Sequence, residues 1–118
     1  MIVIELPYPP SVNGYWRSPN KGPLAGRTLI SERGRAYRSI VMAAQKPGIA
    51  PPGRLQVHVD AYPPDRRKRD LDNVFKGLLD GLVHAGVIED DSLIDKLSIH
   101  RFAPVAKGLV RVFISEAR

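Results

Sequence analysis

The chain contains no cysteine. That excludes disulfides, thiolate metal sites and cysteine nucleophiles, and leaves the compartment open. Its longest apolar runs fall far short of the ~20 residues a bilayer span requires. The opening Met1-Ile-Val-Ile-Glu-Leu-Pro7 has neither a basic leader nor an extended apolar core, so no signal peptide is expected. A soluble, cytoplasmic protein without a membrane partner is the expectation. Gly22, Gly26 and Gly34 match neither a P-loop nor a dinucleotide fingerprint. His58, His84 and His100 show no metal-ligand spacing, and Ser11 and Ser31 lack a paired base, which argues against zinc sites and serine nucleophiles.

What remains is basic. The 118 residues fit one domain, with 43% hydrophobic and 25% charged residues, ordinary for a globular chain. Lys and Arg number 18 against 12 Asp and Glu, giving +6 and a pI near 10. Such an excess favours polyanionic partners, nucleic acid or acidic lipid. It is unevenly held. Residues 1–69 carry twelve bases and four acids, residues 70–118 six and eight. The sign changes between Arg69 and Asp70.

The chain alternates between elements. Ile2 to Leu6 is rich in β-branched residues and reads as a strand stopped by Pro7. Pro7 to Thr28 holds five prolines and three glycines and reads as a loop, functional or flexible at that length. Ser31 is placed to cap a helix running to about Lys46, with Ala36, Tyr37, Ile40, Val41 and Ala44 at helical spacing. Leu55, Val57 and Val59 alternate with Gln56, His58 and Asp60, the period of a half-buried strand. After a second helix, strands around Leu93–Phe102 and Leu109–Ser115 flank a Pro104–Gly108 turn and are expected to form a hairpin. The order β-α-β-α-β-β implies an α+β fold, a small mixed sheet with two main helices in a single domain over residues 1–118.

The second helix has the strongest pattern. Leu71, Val74, Phe75, Leu78, Leu79, Leu82 and Val83 share one face. Asp70 stands where an N-cap belongs and Gly86 where a C′ glycine belongs. Asp72, Lys76 and Asp80 follow at intervals of four on the opposite, exposed face. Gly77 and Gly81 form a stripe open to close approach by the sheet or by a partner helix.

Four cations, Arg66, Arg67, Lys68 and Arg69, immediately precede this helix. They oppose its macrodipole, so they need another partner, and phosphates are the obvious candidate. Asp70 and Asp72, with Asn73 as a further oxygen donor, would repel a nucleic-acid backbone on their own. Bridged by Mg²⁺, a hard cation with a preference for oxygen, they would instead hold a scissile phosphate. Lys76, one turn on, would balance charge on the phosphate or orient the attacking water. The plainer alternative makes Asp70 a cap, Asp72 a dipole-compensating residue and the basic run a solvated loop. Glu89-Asp90-Asp91 likewise reads as a solvated turn.

The stretch Pro64-Asp65-Arg66-Arg67-Lys68-Arg69-Asp70-Leu71-Asp72-Asn73-Val74-Phe75-Lys76, with Asp80 and Ala85-Gly86-Val87-Ile88-Glu89-Asp90-Asp91, resembles the RusA family of Holliday junction resolvases. The opening Leu6-Pro7-Tyr8-Pro9-Pro10-Ser11-Val12-Asn13-Gly14-Tyr15-Trp16-Arg17 and the turn Ala106-Lys107-Gly108 are similar to that family too. The resemblance implies a homodimeric, Mg²⁺-dependent endonuclease (Mn²⁺ being an acceptable substitute) that cuts four-way DNA junctions by paired nicks in recombination and repair. It implies metal-binding roles for Asp70, Asp72 and Asp91, Lys76 as catalytic helper, and a motif position for Asn73.

A helix from Asp70 to Ala85 would be about 24 Å long, and the six residues to Asp91 reach at most about 20 Å. Return to Asp70 within one chain would need a nearly straight run. Two such helices antiparallel about a twofold axis let Asp91 complete the partner's site, with Gly77 and Gly81 allowing the approach. Tyr15 and Trp16, beside Asn13 and Arg17, read either as rings that stack on unpaired bases or as caps on the core edge. Arg33, Arg35 and Arg38 on the first helix, and Lys107 in its turn, read as phosphate contacts or as solvated side chains. The rival to the nuclease is a non-catalytic basic nucleic-acid-binding module.

Overall fold

Alternation at period two organises the centre of the molecule. In a computed structural model, which describes residues 1–44 and 48–118, Leu55, Val57, Val59 and Ala61 are buried on one face of a strand. Gln56, His58, Asp60 and Tyr62, between them, are only half-buried. In chain order the elements are β1 (Ile2–Pro7), α1 (Val12–Tyr15), β2 (Trp16–Arg17), β3 (Leu29–Ile30), α2 (Glu32–Ala43), β4 (Leu55–Tyr62), α3 (Asn73–His84), β5 (Ile94–Arg101) and β6 (Leu109–Glu116). A single 3₁₀ turn, Asp91–Leu93, leads into β5. The α+β expectation holds, with a four-stranded mixed sheet in the order β1-β6-β4-β5. No helix among the described residues is long and apolar enough to cross a membrane.

The expected hairpin does not form. β5 lies parallel to β4, with Val57 opposite Leu97, while β6 runs antiparallel between β1 and β4. The reason lies in burial. Val110, Val112 and Ile114 give β6 a buried face suited to an interior position, whereas β5 is mostly exposed and suits an edge. The β4–α3–β5 crossover, long enough to hold a helix, makes the parallel pair.

Helices α2 and α3 pack against each other and cover one face of the sheet. Tyr37 and Val41 of α2 and Val74, Leu78, Leu79 and Leu82 of α3 join the strand residues in one core. Ser31 caps α2 as expected, accepting from the Gly34 N–H at 3.0 Å. The helix stops short of the expected Lys46: it ends at Ala43, and Ala44 is already extended, with φ −65° and ψ 145°, its N–H bonding the Ile40 and Val41 carbonyls. Helix α3 begins two residues later than expected, its cap moving from Asp70 to Asp72. Asp70 is not its cap: the Asn73 and Val74 N–H groups bond the Asp70 and Leu71 carbonyls in i to i+3 turns, and Asp72 occupies the cap position without a side-chain cap bond. Gly86 does end α3 in the left-handed region, with φ +77°.

The glycine stripe of α3 is filled from within the chain. A Cβ on Gly77 would sit 2.7 Å from Cδ2 of Tyr15, and one on Gly81 would sit 3.1 Å from Cγ2 of Val41. No room is left there for a partner helix. Asp80 also departs from the exposed face. It is partly buried, paired with Arg38 and accepting a hydrogen bond from the Tyr15 hydroxyl.

Candidate active site

The ends of β1 and β4, the start of β6 and the beginnings of both main helices converge at one end of the sheet. They enclose a cleft of about 720 Å³. One wall is the loop from β4 to α3, with Pro64, Arg67, Lys68, Arg69 and Asp70, continued by Asn73 and Val74. The other holds Tyr8 to Ser11, Arg33 and Lys107.

The basic loop is folded around Asp65. Its carboxylate accepts from the Arg67 N–H at 2.9 Å and from Arg69 Nη1 at 2.6 Å, an Asx-type turn closed by an ion pair. The hydrogen bond from Arg69, helped by the Arg67 N–H, holds the Asp65 carboxyl down at about 2. Arg69 also lies over the Tyr8 ring, 5.9 Å from its centroid, and Arg101 Nη2 donates to the Arg69 carbonyl at 2.5 Å. Arg69 is thus largely occupied in shaping the loop. Arg66, Arg67 and Lys68 remain exposed.

The opposite rim depends on a turn with two left-handed residues, the second of which has no room for a side chain. Lys107 has φ +66° and Gly108 φ +70°, and a Cβ on Gly108 would meet Tyr8 Cβ and Pro64 Cδ at 2.9 Å. This contact carries Lys107 to the cleft. Arg33, in the first turn of α2, has Nη1 3.2 Å from where a Cβ on Gly14 would lie, so its guanidinium spans α1 and α2 at the mouth.

Asp70 is the one carboxylate lining this otherwise cationic cleft. Among the described residues, no hydrogen bond or ion pair engages the side chains of Asp70, Asp72 or Asp91, whereas Asp65, Asp80, Asp90 and Asp95 are all engaged. Asp72 and Lys76 are exposed at the beginning of α3. Asp91 lies beyond the far end of α3, in the 3₁₀ turn that Asp90 caps. No three His, Asp or Glu side chains among the described residues come together to hold a metal. Exposed, unpaired oxygen donors at Asp70 and Asp72 are of the type a hard divalent cation prefers.

Comparison with known proteins bears directly on this arrangement. The family described as Endodeoxyribonuclease RusA matches residues 7–115. The chain is 43% identical over 114 residues to the crossover junction endodeoxyribonuclease rusA of Enterobacteria phage HK97, covering 94% of this chain and 91% of that one. It is 39% identical over 110 residues to the RusA enzyme of Escherichia coli strain K12, and 40% identical to that of Enterobacteria phage 82. Each of these covers 89% of this chain and 85% of the relative. The chain belongs to the RusA endodeoxyribonuclease family.

In this RusA-family chain the expected site residues divide. Arg67, Lys68, Arg69, Asp70, Asn73 and Lys107 meet in the cleft, with Arg66, Asp72 and Lys76 exposed nearby along the chain and Asp91 apart. Tyr15 is elsewhere: it is completely buried, and its ring offers no face to a base. Burial, then the hydrogen bond to Asp80, pushes its hydroxyl pKa far up. Trp16 packs edge-on against Tyr15 at 5.0 Å and is half-buried, its indole nitrogen enclosed. Arg17 is exposed on β2. Asn13 lies on α1, its side chain outside the described part. Sequence reasoning missed Tyr8 and Ser11 and left Arg33 undecided between phosphate contact and solvated face. Their place in the cleft depends on long-range packing of β1, α1 and α2 that local spacing does not encode.

Proposed function

We propose that the protein is a Mg²⁺-dependent, structure-specific endonuclease that resolves four-way DNA junctions by paired symmetric nicks, acting as a homodimer in recombination and repair. The observation that carries this reading is Asp70, an unpaired carboxylate in a cleft whose other charged side chains, Arg33, Arg67, Lys68, Arg69 and Lys107, are cationic. Phosphates are drawn to such a wall. A carboxylate among them needs a reason, and a divalent cation provides one.

Asp70 and Asp72 would hold the cation, with Asp91 of a second chain completing the ligand set. The separation of Asp91 from the beginning of α3 supports completion between chains. A Mg²⁺ or Mn²⁺ ion held by these carboxylates would supply polarisation of a phosphodiester and a more acidic water as nucleophile. Arg67, Lys68 and Lys107 grip flanking phosphates, and Asn73 orients the strand at the mouth of the cleft. Lys76, one helical turn beyond Asp72, balances the charge that develops on the phosphate. Two such sites related by a twofold axis match the symmetry of a four-way junction.

The test uses a synthetic four-way junction and a matched linear duplex, each with Mg²⁺ or EDTA. Paired nicks confined to the junction with metal support the reading. Tight junction binding without any metal-dependent cutting would establish the non-catalytic binding module instead.

A further inference from the structure

The exposed aromatic surface lies on the sheet face opposite the helices. Tyr62 at the end of β4 stacks on Phe102, just past β5, with centroids 5.0 Å apart and planes 18° from parallel. His100 of β5 stacks on the same Phe102 at 4.4 Å and 16°. The guanidinium of Arg111 stands 6.0 Å from the Tyr62 centroid. Four planar groups thus form one row. Phe102 is 37% exposed and His100 is exposed as well.

We propose that this row is a stacking platform for unpaired bases at an opened branch point. The proposal deepens the junction-cleaving reading and rests on it. Three observations favour a nucleic-acid occupant. First, the row stands at the cleft end of the sheet, because Tyr62 lies two residues before Pro64 of the cleft wall. Second, it is tied to the basic loop, since Arg101, between His100 and Phe102, donates to the Arg69 carbonyl. Third, the Arg111 guanidinium ends the row over Tyr62, while also pairing with Glu5 at 3.4 Å, and the cations of the basic loop lie beyond the same end of the sheet. A flat row with cations alongside accepts any base by its π face, so it grips unpaired nucleotides with little sequence preference. A base leaving the branch point continues the row over His100.

The test is run in two arms on the full chain. Cutting of a four-way junction with Mg²⁺ is scored first, and it tests the junction-cleaving reading alone. Binding is then measured in EDTA, on a junction carrying 2-aminopurine at the branch point and on a linear duplex. His100→Ala and Phe102→Leu are compared with the unsubstituted chain. Phe102→Leu keeps the apolar volume, and thermal unfolding of both variants checks the fold.

The expected result is a loss of junction affinity of roughly tenfold per ring removed, following the usual worth of a base–aromatic stack. The loss is smaller on duplex, and the 2-aminopurine signal change on binding shrinks. Unaltered junction affinity and fluorescence in folded variants would overturn the platform, whatever the cutting arm shows. So would conversion of a dimer to monomers by either substitution in sedimentation, which would make this face a contact between copies of the chain.

Discussion

The guanidinium of Arg38 grips the carboxylate of Asp80 through two hydrogen bonds, of 2.7 and 3.0 Å. The Tyr15 hydroxyl donates to the same carboxylate, so one acid joins α1, α2 and α3. Ser31 strengthens the junction between the first two: its hydroxyl donates to the Gly14 carbonyl at 2.6 Å, and its N–H to the Tyr15 carbonyl at 2.8 Å. Tyr8 to Ser11 and Arg33, which form one wall of the cleft, are therefore anchored to the helix whose beginning carries the other.

This anchor has a pH signature. Burial tends to raise the Asp80 pKa, but the hydrogen bonds from Arg38 and Tyr15 outweigh it, and the pKa falls below the ordinary carboxylate value. A depressed folded pKa means stability that is fully present above the unfolded value and is lost as pH drops through the folded one. Asp80→Ala is expected to lower unfolding free energy at pH 7 by about 1–3 kcal/mol, because Arg38 and Tyr15 lose their partner. In urea titrations the gap between variant and parent should narrow below about pH 4, the ordinary aspartate range. A gap independent of pH would contradict the account.

Gly77→Ala separates helix propensity from packing. Propensity alone favours alanine by about 1 kcal/mol in a helix interior. The added methyl would meet the Tyr15 ring at 2.7 Å, and overpacking of this kind costs about 1–3 kcal/mol. A net loss of stability is expected, and Tyr15→Ala should reverse its sign. A stabilised single variant would show that the ring yields.

Asp70→Asn and Asp72→Asn are expected to abolish Mg²⁺-dependent cutting while junction binding in EDTA stays the same or tightens, since each removes a negative charge facing phosphates. A variant that still cuts would remove that residue from the proposed ligand set.

Completion of the site between chains predicts complementation. Asp70→Asn and Asp91→Asn chains should each be inactive alone. In a mixed dimer, one site collects both substituted residues and the other collects neither. Co-refolded mixtures should therefore nick one strand of the junction without resolving it. Mixtures as dead as their parents would place all three residues in one chain's site.

Arg33→Ala should weaken junction binding and reduce the slope of log affinity against log salt by about 1, the effect of one lost phosphate contact. An unchanged slope would leave Arg33 as a strut over Gly14 alone.

Much of the frame was legible because burial writes its period into the chain. The alternation from Leu55 to Val59, the apolar face from Val74 to Val83 and the Gly86 stop all appear where spacing predicts. Local signals failed where several residues compete for one role. Asp70, Asp72 and Asn73 can all cap a helix, and the turn formed by the first two is settled only once α3 docks. The pairing of β5 and β6 was illegible for a different reason. A short turn with a glycine looks like a hairpin, yet strand partners are chosen by the whole sheet. Asp80 shows the same limit at the level of a side chain: its charge reads as solvent-facing until Tyr15, 65 residues away, is brought to it.

The place of β6 governs when the cleft can exist at all. Lodged between β1 and β4, it joins the first strand to the central one, and its leading turn delivers Lys107 against Tyr8 and Pro64. A growing chain that has not yet delivered residues 107–116 holds the acids and arginines of the cleft without the framework that aims them. Pairing of β6 with both of its neighbours is thus the step on which assembly of the cleft waits.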